Sequence, residues 1–155
     1  MNIGIIVYSQ SGHTAEVAGK LKDRLIGADH SVQLERVTVV GERAPGAKAI
    51  EWENKPDVSG YEAVIFASYV EAFSLCRVMA QYMEGIVPLQ GTQVACLVTQ
   101  QFPYPWMGGN RAIRQMKRIC QAKGAEIRAT AVVNWAKSRR EKTMDAAIAQ
   151  LSKAF

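Results

Sequence analysis

Within six residues, Ser9-Gln10-Ser11-Gly12-His13-Thr14, the chain places three hydroxyls around one glycine. An apolar run precedes the stretch and a helical pattern follows it. A helix N-terminus offers unpaired backbone N–H groups and a partial positive charge, so it favours anions. Hydroxyl donors at Ser9, Ser11 and Thr14, with backbone freedom at Gly12, complete a phosphate cradle. Lysine is missing from it. A nucleoside-triphosphate loop needs GxxxxGK(S/T), in which lysine reaches the outer phosphates and the last hydroxyl binds magnesium. That pattern is absent, and so is GxGxxG, so neither a triphosphate nor a dinucleotide fingerprint is supported. One phosphate held by neutral donors fits better.

Other reactive groups are sparse. No Ser-His-Asp set, pair of catalytic carboxylates or Cys-x5-Arg loop is present. Cys76, Cys96 and Cys120 are far apart and lack CxxC or Cys/His spacing, so neither a disulfide framework nor a metal site is expected. They read as small buried apolar residues. His13 reads as a partly exposed loop residue within reach of a phosphate, His30 as a turn residue without a role, and Glu71 as a solvated carboxylate.

The elements that must position the cradle follow from periodicity. Residues 1–8 form a continuous apolar run, as expected of a strand buried on both faces. Val17, Ala18, Leu21 and Leu25 then fall at helical spacing, with Gly27 as a stop. Residues 32–40 read as a second, more exposed strand, and 41–60 as a loop with at most a short helix. Residues 63–67 (AVIFA) give a third, central strand, followed by a helical stripe of Leu75, Val78, Met79, Tyr82, Met83 and Ile86. Residues 93–98 are a fourth strand. A glycine- and proline-containing segment, 99–109, leads to a helix carrying Ile113, Met116, Ile119 and Cys120, ended by Gly124. A fifth strand at 127–133 and a helix at 143–155 complete the chain. Strands alternating with helices predict a doubly wound parallel sheet in one three-layer α/β/α domain spanning 1–155. In such sheets ligands bind beyond the carboxyl ends of the strands, which selects residues 9–14, 68–74 and 99–109.

SQSGHT resembles the phosphate loop of the flavodoxins, a hydroxyl-rich pattern directly after the first strand, and matches every position of it. The resemblance extends along nearly the whole chain. DVSGYEAV at 57–64 resembles the family's lead-in to its third strand, and the uninterrupted fifth strand resembles the short-chain type. The resemblance implies a five-stranded sheet of order 2-1-3-4-5 and bound flavin mononucleotide (FMN). It places Ser9, Gln10, Ser11, Gly12, His13 and Thr14 at the phosphate. It places Ser68, Tyr69, Val70 and Phe73 on a second flavin loop, and Thr99, Gln100, Phe102, Tyr104 and Gly109 on a third. A flavin ring needs aromatic or apolar cover. Tyr69 and Phe73 offer it from one side and Phe102, Tyr104 and Trp106 from the other, with Pro103 and Pro105 stiffening that wall.

Charge sets the chain apart from electron-carrier flavodoxins, which are usually acidic. Its formal net charge is +5. Arg111, Arg114, Lys117, Arg118, Lys123, Arg128, Lys137, Arg139, Arg140 and Lys142 are opposed within the same stretch only by Glu126 and Glu141. No aromatic-interleaved nucleic-acid motif accompanies them, so a nucleic-acid partner is not expected. The resemblance therefore implies an FMN oxidoreductase that takes a hydride from NAD(P)H and reduces a quinone or another small acceptor. A one-electron carrier fed by a redox protein and an interaction module without FMN are the rival readings. No run long enough to span a membrane occurs, and the start lacks a basic region before its apolar run, so a cytoplasmic location is expected. Related reductases form dimers or tetramers, which extends the expectation to a homo-oligomer.

Overall fold

The computed structural model describes residues 1–41, 49–102 and 104–155. Part of the loop expected at 41–60, and Pro103, lie outside the described residues. In chain order the elements are β1 (Asn2–Val7), α1 (His13–Gly27), β2 (Ser31–Arg36), β3 (Thr38–Val39), β4 (Trp52–Asn54), β5 (Ala63–Glu71), β6 (Ser74–Leu75), α2 (Arg77–Gly85), β7 (Gln93–Gln100), α3 (Gly109–Ala122), β8 (Glu126–Asn134) and α4 (Arg140–Ser152). The five long strands lie in the order β2-β1-β5-β7-β8, all pairs parallel. This is the 2-1-3-4-5 sheet of a three-layer α/β/α sandwich, as expected.

Two apolar layers sandwich the sheet. Ile3, Ile5 and Val7 of β1 meet Val17, Leu21 and Leu25 of α1, with Met144, Ile148 and Leu151 of α4 in the same layer. On the opposite face Ile6, Val64, Phe66, Val94 and Val98 meet Met79, Tyr82 and Met83 of α2 and Met116 of α3. Cys76, Cys96 and Cys120 all belong to this second layer and are buried thiols. Successive residues of a strand point to opposite faces. An unbroken apolar run is therefore what a strand between two helical layers requires.

The strands depart from their expected bounds where pairing partners begin or end. The second strand does not run to Val40. Val37 donates its N–H to the Val7 carbonyl at 2.8 Å. β1 ends there, and the chain turns away with Val37 buried. Thr38 and Val39 then pair antiparallel with β4, a short sheet inside the stretch expected to be loop. The third strand runs four residues beyond Ala67 because β6 folds back on it, pairing Val70 with Leu75 and Glu71 with Ser74. Leu75 is thus a strand residue, α2 starts at Arg77, and Ile86 follows its end. The fourth strand continues through Thr99 and Gln100, and the last helix starts at Arg140 rather than Thr143.

Candidate functional site

The cradle loop joins β1 to α1 at the carboxyl edge of the sheet. Gly12 takes φ 89° as the N-cap of α1, a left-handed conformation that strains any residue with a Cβ. The turn lets the Gly12 N–H reach Ser9 Oγ at 3.2 Å, and the His13 N–H lies 3.5 Å from Ser11 Oγ. Both hydroxyls accept in these contacts, so each keeps its own proton to donate. Gln10, Ser11 and Gly12 are exposed, and the first-turn N–H groups of α1 have no partner within the helix.

Thr14 behaves differently. It is buried, and its hydroxyl donates to the Ser68 carbonyl at 3.2 Å and lies 2.9 Å from Thr99 Oγ1. With its one proton directed to Ser68, Thr14 accepts from Thr99. Ser68, also buried, donates from Oγ to the Tyr8 carbonyl at 3.2 Å. These bonds tie the starts of all three expected loops into one junction.

The second loop is a hairpin between β5 and β6. Its two central residues, Ala72 and Phe73, have φ of 50° and 63°. Positive φ at both positions matches the twist of a two-residue hairpin, although glycine and asparagine fill such positions with less strain. Tyr69 packs toward Tyr8, ring centroids 6.0 Å apart, and its hydroxyl is buried without a hydrogen-bond partner. Burial pushes the Tyr8 and Tyr69 hydroxyls and the Cys76 thiol above their ordinary pKa values. All three are therefore neutral at pH 7.

The third loop is curled around one amide. Gln100 Nε2 lies 2.9 Å from the Phe102 carbonyl, 2.5 Å from the Tyr104 carbonyl and 2.7 Å from Asn134 Oδ1. Its Oε1 is buried and without a partner. A Cβ at Gly109 would stand 2.6 Å from that oxygen, and one at Gly108 would stand 2.7 Å from Val70 Cγ1 and 2.9 Å from Phe73 Cα. These glycines let the third loop close onto the second. A hollow of about 270 Å³ remains between them, lined by Val70, Ala72, Phe73, Gln100, Gln101 and Phe102. At its mouth Phe73 and Phe102 stack, with centroids 5.3 Å apart. Tyr69 is not part of its lining.

A second hollow, about 560 Å³, opens on the other flank of the cradle, where Tyr8, Ser9 and Gln10 face Arg36, Thr38 and Glu53. The residues beside His13 were not anticipated from sequence. Its ring stacks on Trp135 at 4.2 Å, Gln101 Nε2 lies 3.2 Å from His13 Nδ1, and Arg140 covers Trp135 at 4.7 Å. Trp135 directly follows β8, so the carboxyl-end rule applied to the fifth strand as well would have found it.

No protein-family model matches the chain, and no curated protein matches it by sequence. Solved structures do. The chain is similar to the flavodoxin of Streptococcus pneumoniae TIGR4, with 18% identity, TM-score 0.69 and 100% of each chain covered. It is similar to flavodoxin 2 of Bacillus cereus, with 22% identity, TM-score 0.66 and 99% of each chain covered. It is also similar to the Trp repressor binding protein of Bacillus subtilis, with 13% identity, TM-score 0.61 and 99% of each chain covered. The fold is flavodoxin-like over the full described length.

Proposed function

We propose that the chain is an FMN-binding redox protein that accepts reducing equivalents from NAD(P)H and passes them to a quinone or another small acceptor. The observation that carries this reading is the junction at Thr14, which gathers the cradle, the hairpin and the curled third loop at one edge of the sheet.

The donor set fits the cofactor. Ser9 and Ser11 hydroxyls, the N–H groups of residues 10–13 and the start of α1 would hold the phosphate, with Thr14 fastening the loop behind them. Ser68, Tyr69, Val70 and Phe73 on one side, and Thr99, Gln100, Phe102, Tyr104 and Gly109 on the other, would shape the ribityl and ring sites. Phe73 and Phe102 stack too closely to admit a ring between them, so as it stands the pair would offer cover by its outer faces. Bound flavin supplies hydride acceptance and electron release. The protein's part is to position it and exclude water. Tyr8, Tyr69 and Cys76 stay protonated, so none of them adds negative charge beside the site.

A one-electron carrier is the second reading. It draws on the fold that the chain shares with the S. pneumoniae flavodoxin. The test is a titration of purified apo-protein with FMN and with riboflavin, followed by anaerobic NADH or NADPH. Saturable FMN binding is expected, with riboflavin at least about a hundredfold weaker, the loss of two or more charge-assisted hydrogen bonds. Bleaching by either nucleotide supports the reductase. Tight FMN without bleaching selects the carrier, and no FMN binding sinks both.

A further inference from the structure

Among the described residues, every exposed aromatic side chain lies on the second or third loop: Phe73 (54%), Phe102 (43%), Tyr104 (47%) and Trp106 (73%). They form two flat pairs, Phe73 on Phe102 and Tyr104 on Trp106, the latter with centroids 5.9 Å apart. Between Phe73 and Trp106 opens a hollow of about 390 Å³, flanked by Arg111 and Arg114. At the other end the Arg139 guanidinium lies 5.4 Å from the Tyr104 ring. An aromatic strip thus runs between arginines.

The charge on the helix beside the strip has one sign. α3 carries Arg111, Arg114, Lys117 and Arg118 and no acidic residue. Arg111, Arg114 and Arg118 are exposed at helical spacing along one face. Glu71 on the hairpin and Glu141 in the first turn of α4 are the nearest acidic side chains along these elements.

We propose that this strip is the docking face for an acidic electron-transfer protein. Its role in electron transfer rests on the FMN reading above, which also draws on Phe73, Phe102 and Tyr104; the flanking Arg111, Arg114 and Arg139 do not depend on that reading. Tryptophan, tyrosine and arginine are the residues that anchor protein interfaces. A guanidinium fork also pairs with carboxylates through two parallel bonds. A second copy of this chain fits poorly, because a two-fold interface would set the same cations against each other. A lipid surface fits less well than a protein, because the strip offers stacked aromatic pairs and no large exposed aliphatic side chain.

The experiment uses the full chain, apo and FMN-loaded, with three probes. These are an acidic plant-type ferredoxin, a basic cytochrome c of similar size, and vesicles containing anionic phosphatidylserine. Binding is measured by calorimetry and sedimentation from low salt to about 0.5 M, where the Debye length is only a few ångströms. Ferredoxin binding is expected, weakening as salt rises, with cytochrome c not bound. Arg111→Glu with Arg114→Glu should weaken ferredoxin about tenfold or more at low salt, and Trp106→Ala should weaken it at all salts. A control pair of equal charge change at the opposite end of the sheet, Arg24→Glu with Lys153→Glu, should shift it less than about threefold. The proposal is overturned if ferredoxin does not bind, if the control pair weakens it equally, or if vesicles or self-association carry the Trp106 dependence instead. The FMN titration separates the two claims: ferredoxin binding without FMN binding leaves the docking face standing and removes the redox role.

Discussion

At the residue scale, Thr14 shows how one hydroxyl can serve a site without facing its ligand. It closes a bond between α1 and two strands inside the protein. Thr14→Val removes the donor for the Ser68 carbonyl and the acceptor for Thr99 and leaves both buried. The expected loss is about 1–3 kcal/mol in urea unfolding, with Thr14→Ser close to the parent. An unchanged midpoint for the valine variant would show that the junction contributes nothing. The sequence made the SQSGHT loop legible because residue type and spacing carry its chemistry. It could not separate Thr14 from Ser9 and Ser11, since three hydroxyls look alike until the left-handed turn at Gly12 decides which way each one points. The same blindness applied to Gln100, whose amide organises the third loop through carbonyls that any residue would supply.

At the element scale, the alternation of strands and helices was readable because the central strands β1, β5 and β7 are apolar runs buried between two helical layers, while the edge strands β2 and β8 show partial alternation. What was not readable were the short antiparallel additions. β3 and β4 are too brief to show a period. The β5–β6 hairpin turns at Ala72-Phe73, which lacks the asparagine or glycine that marks such turns. That choice has a measurable consequence. Ala72 sits at φ 50°, and its side chain is exposed. Ala72→Gly removes left-handed strain and little packing. It should raise the unfolding free energy by about 1 kcal/mol, less the entropy that glycine adds to the unfolded chain. A destabilised variant would mean that the alanine methyl has a packing role that its exposure conceals.

At the scale of the whole molecule, the buried acids set an alkaline limit. Burial, then the bond to Glu35, pushes the Tyr61 hydroxyl up to about 12 from 10.0. Burial raises Tyr8, Tyr69 and Tyr82 from the same value, and Cys76 from 9.0. The folded chain therefore retains protons that the unfolded chain releases, so the slope of stability against pH is negative in this window. These groups contribute their full stabilisation below pH 9. It should decline from there, with the Tyr61 share falling between 10 and about 12. Urea midpoints across pH 7 to 12 check this, and a midpoint flat to pH 12 would contradict the burial of these groups.

The two faces of the sheet also differ in a way that has nothing to do with ligands. Cys76, Cys96 and Cys120 all lie in the α2–α3 layer, and the core between the sheet and the α1–α4 layer contains no sulfhydryl. Burial raises Cys76, while the Cys120 contact, then burial, raises Cys96, so neither offers a thiolate while the layer is closed. The native chain thus carries a one-sided clock. Alkylation proceeds when α2 or α3 lifts from the sheet and is silent when α1 or α4 does, so its rate times the breathing of one half of the sandwich alone.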